Sequence, residues 1–165
     1  MISVDGTDFR MKKQKGESPK FWWGYKFKKP GVRYEVGISI KHGDIVWIHG
    51  PFPCGFYPDI KIFRSALKNW LLDGERVEAD DGYIGEAPRY VLCPKAIRCV
   101  KPTKEGKKLS QRIRSRQETV NKRFKQFNCL KGTFRHSVEQ HSIAFRAIAV
   151  ITQISIQKGD VLFKI

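Results

Sequence analysis

Long apolar runs are missing from this sequence. No stretch reaches the about 18 residues that a membrane-crossing helix needs, and the N-terminus lacks the basic-then-apolar pattern of a secretory signal. No membrane is therefore expected as a partner. Cysteine is sparse and poorly spaced for metal. Cys54, Cys93, Cys99 and Cys129 include no C-x-x-C pair, and His42, His49, His136 and His141 do not complete a zinc-finger spacing with them. They read as reduced thiols, which suits an intracellular protein. No internal repeat occurs. Acid is the scarcest resource, with 16 Asp and Glu against 32 Lys and Arg, a net charge of +16 and an isoelectric point near 9.9. That imbalance predicts attraction to polyanions, nucleic acid first, because neutralising phosphates with Lys and Arg supplies most non-specific affinity.

What is present supports a packed globule. Of the 165 residues, 41% are hydrophobic and 12% aromatic, enough to exclude disorder. Ile2 to Asp5 alternates and stops at Gly6, predicting a short strand. Residues 11–31 are basic and punctuated by Gly and Pro, with Phe21, Trp22, Trp23, Tyr25 and Phe27 clustered among them; stacking on unpaired bases is one reading and core packing the favoured one. RYEVGISIK and DIVWIHG, joined at His42-Gly43-Asp44, predict a hairpin. PFPCGFYP then breaks regular structure. Residues 58–72 place Ile62, Ala66, Leu67 and Trp70 at helical spacing, RVEAD and RYVLCPK read as short strands, and a basic helix is predicted from about Thr103 to Phe127. The last apolar segment reads as a buried helix, or as a helix followed by a strand. Strands and helices in this order predict a mixed α/β layer fold with helices covering the sheet.

Three of the scarce acids fall at notable places. Asp5 ends the first strand, Asp80 ends the strand after the first helix, and Glu118 lies in the basic helix. Carboxylates on separate elements are what a two-metal phosphoryl-transfer site needs, since hard Mg²⁺ or Mn²⁺ ions prefer such oxygens. Each also has an ordinary reading. Asp5 and Asp80 stand beside turn glycines, and Glu118 could pair with Arg114 or Lys122, each four residues away. Asp59 reads best as a first-turn acid favouring the helix dipole. Leu109, Ile113, Val120, Phe124 and Phe127 share one stripe of the basic helix, and Glu118 points nearly opposite to it.

VDGTDFR, KF-x-x-PG-x-RYEVGISI, DIVWIHGPFPCG-x-x-x-D, EADDGY-x-G, R-x-R-x-E-x-x-N-x-R-x-K-x-F and FRH follow one another here. In that order they resemble the catalytic domain of Harbinger-type DDE transposases, a DDE superfamily endonuclease domain. The likeness spans nearly the whole chain and implies a ribonuclease H-like mixed sheet flanked by helices, with 1–165 as a single catalytic domain. It implies that Asp5, Asp80 (rather than Asp81) and Glu118 are catalytic and bind two divalent cations, Mg²⁺ or Mn²⁺. DNA is the implied substrate and the nucleus the implied location. Of the basic helix, Arg112, Arg114, Arg116, Lys122, Arg123 and Lys125 are the expected DNA contacts. Larger members of that family carry an N-terminal DNA-binding region, whereas four residues precede Asp5, so the expectation is an N-terminally truncated domain whose targeting falls to a separate DNA-binding protein. The alternative is a catalytically silent, domesticated or decayed derivative acting as a DNA- or protein-binding module. An unrelated RNA-binding protein would explain the charge and aromatics but not the three acids.

Overall fold

The computed structural model describes residues 1–12, 16–97 and 103–165. Cys99, read above as a reduced thiol, lies outside them, as do residues 13–15 of the basic segment. Cys54, Cys93 and Cys129 are free thiols.

A six-stranded mixed sheet forms the frame. Strand β1 (Ile2–Arg10) lies at its centre. It pairs antiparallel with β3 (Lys29–Ser39) over its whole length, from Ile2 opposite Ser39 to Arg10 opposite Gly31. β3 in turn pairs antiparallel with β4 (Ile45–Pro53) and with the two-residue β2 (Trp23–Gly24), which follows the short helix α1 (Pro19–Trp22). On its other side β1 runs parallel to β5 (Val77–Glu78), and β5 parallel to β6 (Val91–Leu92). Three antiparallel strands followed by two parallel ones, flanked by helices, is the ribonuclease H-like arrangement that the resemblance implied.

Alternation divides β1 and β3 between two cores. Phe9 of β1 with Val32, Tyr34, Val36 and Ile38 of β3 face one way. There they pack against α4 (Lys104–Phe124), α5 (Asn128–Lys131) and α6 (Val138–Gln157) through Val120, Phe124, Leu130, Phe145 and Ile148. Val4 faces the other way and packs on Phe63, Leu67, Val77, Tyr83 and Val91. That second core is built by α2 (Asp59–Ser65), two 3₁₀ turns (Leu67–Trp70 and Asp81–Glu86), and β5 and β6, with α3 (Pro94–Ile97) beyond.

Several expectations need correction. The first strand does not stop at Gly6. It continues to Arg10 because β3 offers a partner at every position. β4 likewise runs through Pro51 to Pro53 before the chain breaks, as an edge strand can. The helix expected over 58–72 ends at Ser65, whose Oγ donates to the Ile62 carbonyl at 2.7 Å. Ala66 leaves helical geometry there, and Trp70 is 75% exposed rather than part of a buried stripe. The basic helix ends at Phe124, with Leu109 exposed. Of the two readings of the C-terminal apolar segment, the single helix holds: it is opened by a Ser137–Gln140 capping box, and no strand follows it.

Candidate active site

Asp5 sits mid-strand on β1, on the face that α4 covers. Two polar residues of α4 reach it and its neighbour. Gln117 Oε1 accepts from Ser3 Oγ at 2.7 Å while its Nε2 donates to the Val36 carbonyl at 3.1 Å, and Asn121 Nδ2 donates to Asp5 Oδ2 at 2.8 Å. α4 is thus fixed across the sheet by hydrogen bonds as well as by Ile113, Val120 and Phe124.

Asp80 comes from the neighbouring parallel strand. It lies two residues past the end of β5 and caps the next 3₁₀ turn, its Oδ1 accepting from Gly82 N at 2.8 Å. Asp81 is turned to a different task. Its Oδ1 accepts from Lys95 N at 3.0 Å, and Oδ2 stands 3.8 Å from Lys95 Nζ.

A third acid arrives from the opposite face. Asp59, in the first turn of α2, extends its carboxylate over Gly6. A Cβ on Gly6 would lie 1.9 Å from Asp59 Oδ1, so glycine is what lets Asp59 approach the sheet beside Asp5. Asp59 Oδ2 lies 3.5 Å from where a Cβ on Gly82 would stand, and Asp80 Oδ1 2.9 Å from the same point. Arg33 steadies this side. It grips Asp8 through Nε–Oδ1 at 2.6 Å and Nη2–Oδ2 at 2.8 Å, with Asp59 Oδ1 3.3 Å from Nη1. Below lies Glu35, fully buried opposite Gly6, with Trp47 Nε1 donating to Oε2 at 2.9 Å and Oε1 without a hydrogen bond.

The electrostatics follow from this crowding. Burial, then the neighbouring Asp59 and Asp80 charges, push the Asp5 carboxyl up to about 7, against weaker opposition from Lys26 and the Gly6 N–H. Asp59 is also raised, by burial first, with Arg33 opposing and Asp8 and Asp80 adding to the rise. Burial lifts Glu35 to about 7.

Asp5 opens on a cleft of about 290 Å³ whose walls include Glu118, Asn121, Lys26, Lys122 and Lys125. Asp80 and Asp59 stand beside Asp5 but outside that lining. Glu118 therefore does not have to turn under the helix. The cleft opens along the flank of α4 next to Asn121, and an exposed Glu118 borders it.

The six expected DNA contacts separate into two groups. Lys122 and Lys125 line the cleft, the latter with Nζ 5.5 Å from the Phe9 ring centre, and Arg114 is exposed. Arg116 is a correction. Only 3% exposed, it donates to the Ile40 carbonyl at 2.7 Å and twice to the Phe163 carbonyl, so its guanidinium faces protein instead of solvent. Arg123 holds the Asp160 carbonyl at 2.7 Å and Oδ1 at 3.1 Å, and Arg112 bonds the Lys164 carbonyl. These three arginines strap the C-terminal residues to α4.

Asn121, Lys26 and Asp59 join the site without having been expected there. The Asn three residues after Glu118 and the Asp in G-x-x-x-D were the available signals; Lys26 had none.

The donor set suits a hard cation in kind. Carboxylate oxygens are present, burial and then their mutual repulsion already raise Asp5, and buried Asn121 Oδ1 has no hydrogen-bond donor, while Asp59 Oδ1 has only its ion pair with Arg33. The side chains are not drawn tight. Among the described residues no group of three or more His, Cys, Asp or Glu is arranged to hold a metal ion. Nor is any described helix long and apolar enough to cross a membrane.

Comparison with known proteins gives a single assignment. No curated protein and no solved structure matches the chain. A family model described as DDE superfamily endonuclease matches residues 4–153, from β1 through most of α6, and so takes in Asp5, Asp59, Asp80 and Glu118 together. The protein belongs to the DDE superfamily endonuclease family.

Proposed function

We propose that this chain cleaves and transfers DNA strands as the catalytic core of a Harbinger-type DDE transposase. The observation that carries the reading is the buried Asp5 carboxyl, within electrostatic reach of Asp59 and Asp80 and opening on a cleft that Glu118 shares with three lysines. A phosphodiester backbone is what such a cleft accepts: cations for the phosphates, acids for the reaction centre.

Asp5, Asp80 and Glu118 would hold divalent cations here. Bound Mg²⁺ or Mn²⁺ supplies Lewis-acid chemistry, activating water or a DNA 3′-hydroxyl and steadying the leaving oxygen. The protein's part is positioning. Asn121 orients Asp5 through Oδ2, Gly6 admits Asp59 to Asp5's side, and Arg33 partly offsets the Asp59 and Asp8 charges there. Lys26, Lys122 and Lys125 neutralise and orient the strand.

The test is nicking of supercoiled plasmid by the purified chain with Mg²⁺, Mn²⁺ or EDTA, beside Asp5→Asn and Asp80→Asn. Metal-dependent nicking lost in both variants, with DNA affinity kept, is the expected result. Nicking that survives Asp80→Asn overturns the assignment of that residue.

A second reading is a catalytically silent derivative that binds DNA. It is favoured by the exposure of Glu118 and the absence of a closed acid triad among the described residues. DNA binding by a folded chain with no nicking under any metal selects it.

A further inference from the structure

Helix α6 has two faces, and the proposed reaction uses neither of them beyond packing. His141, Phe145, Ile148, Ala149, Thr152 and Ile156 are buried. The opposite face carries Ile143, Val150 and Ile154, exposed at 69%, 59% and 50%. Read along the helix, the outer stripe is Glu139, Ile143, Ala147, Val150, Ile154, Lys158. Steps of four, four, three, four and four keep these residues within one arc, the spacing of a helix-pairing seam. Beside the stripe, a mostly apolar groove of about 280 Å³ between α6 and β4 is lined by Ile45, Ile48, Ala149, Val150 and Ile154, with Arg146 and Gln153 as its polar members. An apolar stripe of this length continuous with an apolar groove marks an interaction site rather than ordinary surface.

The order of residues in the stripe indicates what covers it. Reversed, it reads cation, Ile, Val, Ala, Ile, anion. Laid antiparallel on a second copy of itself, Ile143 meets Ile154, Ala147 meets Val150, and Glu139 meets Lys158 at both ends. The small Ala147 near the centre lets the two backbones approach. A parallel pairing would set Glu139 against Glu139 and Lys158 against Lys158. We infer that α6 is the two-fold interface of a homodimer, its outer stripe packing antiparallel on the same stripe of a second copy of this chain.

The global charge points the same way. A chain of net +16 resists self-association, so two copies meet where cations are fewest. Within Val138–Gln157 the only formal charges are Glu139 and Arg146, and Arg146 leans toward the Gly50 carbonyl of β4 at 3.4 Å. The other long helix, α4, is lined with lysine and arginine. An isologous contact of this kind is the commonest closed arrangement for identical chains. A 20-residue helix is about 30 Å long, so the seam runs the length of one helix. A contact made by a single helix face against a net charge of +16 on each copy is expected to be reversible, in the micromolar range.

Sedimentation velocity on the full chain, freed of nucleic acid, from about 1 to about 100 µM at low salt tests this. Wild type is expected to pass from monomer to dimer across that range. Val150→Glu should weaken the dimer at least about tenfold, and Ile143→Gln should weaken it too while leaving the thermal midpoint unchanged, which separates lost pairing from lost folding. Glu139→Lys alone and Lys158→Glu alone should each weaken association several-fold, and the two together should restore it. A chain monomeric at every concentration overturns the proposal, and so does a dimer indifferent to Val150→Glu and Ile143→Gln. Failure of the double charge exchange to restore pairing overturns the antiparallel register.

Discussion

The two long helices lie on the same face of the sheet, are nearly equal in length and share one core, yet they are held by different forces. α6 binds the sheet through packing. Phe145 stacks on Tyr34 with ring centres 4.0 Å apart, and Ile148, Ala149 and Ile156 fill around it. α4 carries an apolar stripe too, but part of its inner face is polar: Arg116, Gln117 and Asn121 are buried, each bonded to a carbonyl or a carboxylate. Outside, the contrast reverses. α4 is charged and α6 is apolar. A helix that must deliver directional groups to a strand gives up part of its packing surface to do so. A helix with no such duty can bury an apolar face and still have one to offer.

The sharpest way to break that contrast is to cut one force from each helix and compare the losses. Phe145→Ala should cost about 3–5 kcal/mol, the range for a buried aromatic whose cavity cannot collapse. Arg116→Ala should cost less, about 2–3 kcal/mol, from the unpaired Ile40 and Phe163 carbonyls. Urea unfolding of both variants checks the order, and an Arg116 loss equal to that of Phe145 would mean that α4 is held as α6 is.

A third prediction uses pH. Burial among Phe9, Tyr34 and Phe134 lowers His141 to about 4, with Nδ1 against Tyr34 Oη at 2.8 Å. Below its ordinary value near 6.5 the unfolded chain takes up this proton first, so stability is lost as pH falls from about 6.5 to about 4, by roughly 2–3 kcal/mol. Asp5 and Glu35, both raised to about 7, act oppositely and stabilise the fold as pH falls through the same range. The difference between wild type and His141→Phe therefore isolates the histidine: the variant should lose less stability from pH 6.5 to 4. The smallest effect on folding belongs to the two cleft lysines at the C-terminal end of α4, Lys122 and its C-cap Lys125. Lys122→Ala and Lys125→Ala should each change stability by less than about 0.5 kcal/mol while lowering the salt slope of DNA binding by about 1. Arg123→Ala, which loosens the C-terminal strap, should leave that slope almost unaltered.

Much of this was legible in the sequence because it rests on alternation. Tyr34, Val36 and Ile38 announce β3, and the return through DIVWIHG announces β4. Strand pairing by β5 and β6 rests on two residues each, yet turn glycines and apolar runs still revealed them. The misreadings share a cause: residues whose role is defined by something distant in sequence. Gly6 reads as a stop because glycine punctuates chains; in the fold it is the gap that admits Asp59. Arg116 reads as one more cation on a basic helix. Its partners, Ile40 and Phe163, are 76 and 47 residues away. Glu118, read as pointing away from the apolar stripe, is exposed and borders the cleft along the helix flank.

The central position of β1 also imposes a schedule on synthesis. Its Asp5 meets Asn121 across 116 residues and its Ser3 meets Gln117 across 114. At a ribosomal pace of about 5–20 residues per second, β1 waits roughly 6–20 seconds before the helix that completes it exists. β3 and β4 arrive sooner and can pair with it, leaving Phe9, Tyr34, Val36 and Ile38 as an uncovered apolar sheet face on the nascent chain. Folding is then gated by long-range closure rather than by local propensity, and the interval before α4 emerges is when this chain most needs shielding from its neighbours.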